Sequence, residues 1–174
     1  MNRRRSPATA GRAFVRDYLP YLLAQANHAV HQGFAPRLRA AGLASVEWRV
    51  LATLSGGHGL TIGELAAEVL AQQPTLTKLV HRMARAGLVE RRGDDADGRR
   101  TLVFETARGR ALVAPLLAAA KAHERTALAA FPAADVAALK AILRALGAAA
   151  PARAARAAAG PRRPSPRAGR ASAA

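Results

Sequence analysis

The chain has 174 residues, no cysteine, 51% hydrophobic but only 4% aromatic residues, and a formal net charge of +16. That length suits one domain with tails, and the lack of cysteine excludes disulfides, thiolate metal sites and cysteine redox sensing. The charge favours a polyanionic partner, and alanine-heavy helices bury so little area that oligomerisation would add stability.

Residues 1–12 carry Arg3, Arg4, Arg5 and Arg12 without an acid and read as a disordered basic arm. The SPATAG that follows has none of the apolar character of a secretory signal. The longest apolar run, Ala111–Ala120, is too short to cross a bilayer, so no membrane association and a cytoplasmic protein are expected. From Pro20 to about Ala41, residues Leu22, Leu23, Ala26, Val30, Phe34 and Leu38 recur at helical spacing. Gly42 ends that helix, and Ser45 is expected to cap a second over Val46–Leu54. Gly56, Gly57 and Gly59 break the chain, and Thr61 with Glu64 forms a capping box for a short third helix.

A fourth helix is expected from about Gln72 or Gln73 to Arg85, with Pro74 in its first turn. Leu76, Leu79, Val80 and Met83 fall at i, i+3, i+4 and i+7 and define its buried stripe. Leu88–Arg92 and Arg100–Thr106 alternate as two strands around the loop Gly93–Arg99. Thr106 caps a long helix towards Ala130, kinked at Pro115, and Pro132 with Asp135 opens a last helix in which Val136, Leu139, Ile142, Leu143 and Leu146 make another apolar stripe. Residues 147–174 hold six arginines and no acid among Ala, Pro, Gly and Ser, and read as a disordered tail.

A helix followed directly by a charged hairpin is the layout of a winged helix-turn-helix. The fourth helix turns Gln73, Pro74, Thr77, Lys78, His81, Arg82 and Arg85 away from its stripe, with Thr75 near its start. Gln73, Thr75 and Thr77 suit base or phosphate hydrogen bonds, and Pro74 or a threonine methyl suits a thymine methyl. Lys78 and Arg82 suit phosphates. In the loop, Asp97 would steady Arg99, which is placed for the minor groove, with Arg91 and Arg100 as flanking backbone contacts. Over residues 60–106 seven bases meet seven acids, so this argument rests on where charges sit. The loop aspartates lack the further oxygen ligands of a calcium site.

In order and wording these pieces resemble the MarR family of winged-helix transcriptional regulators, from about Tyr18 to Leu146. The resemblance is carried by EWRVLATL, ELA, QPTLTKLVHRM, GLVERR, DGRR and TARGRAL. Leu70, Gln72 and Glu105 depart from residues common in the family. The resemblance implies a mainly α fold with a small β-wing, in a domain over 13–146. Its DNA-binding lobe would be about 45–106 and its dimerisation helices about 18–41 and 107–146. It further implies a homodimer on a pseudo-palindromic operator, usually a repressor released by a small aromatic acid or phenol.

His28 and His31, one turn apart, read as pocket-lining or polar-face histidines rather than metal ligands. With Phe34 and Trp48 they mark the place to look for an effector pocket, although Trp48 fits core packing better. No nucleophile elbow, phosphate-binding loop, metal constellation or paired carboxylates is present in the sequence, so no enzymatic activity, cofactor or metal is expected. The alternative is a sequence-tolerant architectural DNA binder driven by the basic tails.

Overall fold

A computed structural model describes residues 14–93 and 100–158, with side chains as far as residue 148. In chain order the elements are α1 (Leu19–Ala40), α2 (Ser45–Leu54), β1 (Leu60–Thr61), α3 (Ile62–Glu68), α4 (Gln73–Arg85), β2 (Val89–Gly93), β3 (Thr101–Glu105), α5 (Ala107–Ala127) and α6 (Ala133–Ala158). The arm at 1–12, the wing tip with Asp97 and Arg99, and the chain beyond 158 lie outside the described residues. The chain divides after Ala127 into two compact units, and α6 belongs to the second.

The first unit is built around the α4 stripe. Leu76, Val80 and Met83 are fully buried and Leu79 nearly so, packed with Val50, Leu51 and Leu54 of α2 and Leu65 of α3. Val103 of β3 and Val113 of α5 close the same core. Gly109 lets α5 approach the start of the wing, because a Cβ there would lie 2.1 Å from the Leu88 carbonyl oxygen.

The sheet is antiparallel in the order β1-β3-β2, with Val89 opposite Glu105 and Leu60 opposite Val103. The two-residue β1 is an addition to the expected hairpin. Gly59 makes room for it, since a Cβ there would collide with the Phe104 ring. The result is the mainly α fold with a small β-wing, α3–turn–α4 forming the helix-turn-helix.

Helices α1, α3 and α4 end alike. The residue after each C-cap is left-handed: Gly42 at φ +69°, Leu70 at +52° and Gly87 at +69°. The following N–H then reaches back over the last turn: Leu43 to Leu38 O, Ala71 to Ala66 O and Leu88 to Met83 O, at 2.9–3.0 Å. Glycine occupies this position twice without strain, whereas Leu70 holds it with a side chain 84% exposed, inside the helix-turn-helix turn.

Two expectations are corrected. Ser45 does not cap α2; it is the first helical residue, and the Glu47 carboxylate takes the Ala44 N–H instead. Helix α6 passes Gly147 and Pro151 and continues to Ala158, so residues 148–158 are helical where coil was expected. The apolar stripes of α1 and α6 are largely exposed. Only Phe34 and Leu38 of α1 are buried, while Leu22 and Val30 are exposed, as are Leu139, Ile142, Leu143 and Leu146. No helix among the described residues is long and apolar enough to cross a membrane.

Candidate nucleic-acid interface

Burying the stripe of α4 fixes what its other face offers. Gln73, Pro74, Thr75, Lys78, His81, Arg82 and Arg85 are exposed, and Thr77 is half-buried. The Thr77 hydroxyl donates to the Gln73 carbonyl at 2.9 Å, which commits its proton to the helix and leaves only its lone pairs for a partner. Pro74, Thr75, Lys78 and Arg82 line a groove of about 520 Å³ together with Ala44 and Val46 at the start of α2. With Leu79 the lining of that groove is mainly apolar, and Lys78, Arg82 and the Thr75 hydroxyl are the polar groups in it that can meet an anionic backbone.

The cations differ in their surroundings. Arg82 Nη2 lies 3.0 Å from Glu47 Oε1, and Arg100 Nη2 lies 2.9 Å from Glu64 Oε1. Arg92 pairs with Glu90 and lies over the Phe104 ring, 5.1 Å from its centroid. Arg91 Nη1 is 3.4 Å from His81 Nε2, joining the stem of the wing to α4. The Thr61 backbone N–H, its hydroxyl and Arg100 together hold the Glu64 carboxyl below its ordinary value. Of the expected residues, Pro74, Thr75, Lys78 and Arg82 border one groove, Gln73 is exposed at the start of the helix, and Arg91 and Arg100 flank the wing; Asp97 and Arg99 lie outside the described residues. Sequence reasoning missed the acids that hold these arginines.

Two smaller cavities flank His31. One, about 300 Å³, lies between α1 and α2 and is lined by Asn27, His31, Ser45, Trp48 and Arg49. The other, about 220 Å³, lies between α1 and α5 and includes Phe34 and His123. Phe34 and Trp48 rings are 5.5 Å apart, and His31 Nε2 lies 3.1 Å from the Ser45 hydroxyl. His28 does not join them. It is exposed, and its Nε2 pairs with Gln32 Nε2 at 2.9 Å, one turn along the outer face of α1.

Comparison with known proteins agrees with this geometry. The MarR family profile matches residues 41–100, which hold the helix-turn-helix and most of the wing. A transcriptional activatory protein, BadR, of Rhodopseudomonas palustris is 34% identical over 104 residues, spanning 58% of this chain and 56% of the relative. The homoprotocatechuate degradative operon repressor of Escherichia coli is 31% identical over 98 residues, spanning 56% of this chain and 66% of that protein. The chain therefore spans less than two thirds of the length of these curated relatives. Among solved structures, a MarR family transcriptional regulator from Silicibacter pomeroyi DSS-3 is 41% identical with a TM-score of 0.68, over 76% of this chain and 95% of that one. Because that regulator is 41% identical and matched along nearly the whole of its length, the chain belongs to the MarR family of winged helix-turn-helix transcriptional regulators.

Proposed function

We propose that the chain is a sequence-specific double-stranded DNA-binding repressor that acts as a homodimer on a pseudo-palindromic operator. The observation that carries this reading is the exposed face of α4. Gln73, Thr75 and Lys78 stand in the N-terminal half that meets base edges in helix-turn-helix docking, and Arg82 and Arg91 stand beside it for phosphates. Arg99, which lies outside the described residues, supplies the minor-groove contact in this reading. The exposed apolar residues of α1, and separately those of α6, support self-association, because each leaves an apolar stripe of its helix open to solvent.

A small aromatic acid releases the DNA. The cavities at His31 support this, with Trp48 and Phe34 offering aromatic surface and Arg49 a cation for a carboxylate. The name of the E. coli relative, a repressor of homoprotocatechuate degradation, also ties a related protein to an aromatic acid. Footprinting of the wild type and Arg99→Ala on the promoter of the neighbouring gene tests the reading. A discrete protected site that fades with Arg99→Ala is expected. Even, sequence-independent protection by both proteins favours the architectural alternative driven by the basic tails.

A further inference from the structure

Glu47 and Glu64 occupy the third positions of α2 and α3, and each divides its carboxylate in the same way. Oε2 accepts the backbone N–H that opens the helix, from Ala44 at 2.9 Å and from Thr61 at 2.8 Å. Oε1 holds a guanidinium Nη2, that of Arg82 at 3.0 Å and of Arg100 at 2.9 Å. One of those arginines belongs to α4 and the other stands at the foot of β3, where the wing begins its return. Each acid is thus fixed by a helix end and in turn fixes an arginine 35 or 36 residues away.

We infer that Glu47 and Glu64 are positioning residues for DNA recognition, presetting Arg82 and Arg100 for the nucleic-acid backbone. The inference rests on the DNA-binding mode proposed above. A guanidinium carries five N–H donors, so Glu47 takes one from Arg82 and leaves others for a phosphate, and the Arg82 side chain is 63% exposed. A free arginine gives up its rotamer freedom on meeting a phosphate, whereas a held one has already done so. Charge alone predicts the opposite sign: removing an acid beside a DNA-binding face strengthens binding to every duplex.

The test uses the full chain as wild type, Glu47→Gln, Glu64→Gln and the double variant. The probes are a duplex selected by the wild type from a random-sequence pool and a scrambled duplex of equal composition. Glutamine keeps an oxygen for the helix cap but loses the charge that holds the arginine. The double variant is expected to melt only slightly below the wild type, to bind the selected duplex about tenfold more weakly, and to bind the scrambled duplex equally well or better. Equal or tighter binding to the selected duplex overturns the inference. Should the glutamine variants melt early, a double-mutant cycle of Glu47→Gln with Arg82→Gln in selected-duplex affinity decides: non-additive losses are expected, and additive ones overturn it. If the wild type selects no consensus, the DNA-binding mode itself fails, and this inference with it, before any variant is measured.

Discussion

Helices α4 and α6 both carry apolar residues at helical spacing, set sharply against polar residues in α4 and diffusely among alanines in α6, and they end in opposite states. The α4 stripe is buried against α2, α3 and the wing, while Leu139, Ile142, Leu143 and Leu146 of α6 are 40–64% exposed. Periodicity reports which face of a helix is apolar and not what covers it. For α4 the cover comes from its own chain. For α6 it is left to a second copy, in the reading proposed above.

Truncation breaks or sharpens that contrast most strongly. Leu76→Ala should cost about 2–5 kcal/mol of unfolding stability, measured by urea denaturation. Ile142→Ala should leave single-chain stability within about 0.5 kcal/mol but weaken self-association in sedimentation experiments. Equal destabilisation by both would mean that α6 is covered within the chain after all.

The next effect lies inside the covered unit. Glu105 is a buried carboxylate whose Oε1 accepts from Arg110 Nε at 2.9 Å and whose Oε2 has no hydrogen-bond partner. Arg110→Ala strands that charge and should cost about 1–3 kcal/mol, an amount tempered by the exposure of the arginine. Glu105→Leu in the same background should restore most of the loss.

Smaller still is the turn of the helix-turn-helix. Leu70 holds the left-handed position that Gly42 and Gly87 hold at the ends of α1 and α4. Leu70→Gly should raise stability by about 0.5–1 kcal/mol, relief of backbone strain exceeding the added freedom of the unfolded chain. A fall would mean that the exposed leucine makes a contact in the assembled protein.

The mildest effect is a pH dependence. The Glu64 carboxyl is held below its ordinary value of 4.5, chiefly by the Thr61 backbone N–H and hydroxyl, so the folded state favours its ionised form. Its contribution is complete above pH 4.5 and is lost as pH falls through the lowered folded value. The melting-temperature difference between wild type and Glu64→Gln should therefore be constant near neutrality and shrink in acid. A difference that grows in acid contradicts this sign.

Most of the DNA-binding lobe was legible in the sequence, for local reasons. The i, i+3, i+4, i+7 spacing set the α4 stripe, Gly87 set its exit, and the Thr61–Glu64 capping box forms as expected, with Glu64 N donating to Thr61 Oγ1 at 3.2 Å. What escaped depends on distant partners. Strand β1 is two residues long and exists through pairing with β3, about forty residues on. Ser45 has a good capping side chain, but its hydroxyl lies beside His31 and leaves the cap to Glu47. The hold of Glu47 on Arg82 joins separate helices, and no local pattern announces it.

The central claim is that the α4 face and the wing read DNA as a symmetric pair, with the basic tail adding affinity but no choice of sequence. Selection from a random duplex pool, run in parallel with the full chain and with a chain ending at Ala158, tests it most directly. The account predicts the same inverted repeat from both proteins, with half-sites about one helical turn apart and weaker overall binding by the shorter one. Absence of a consensus, or a consensus that disappears with the tail, would contradict it.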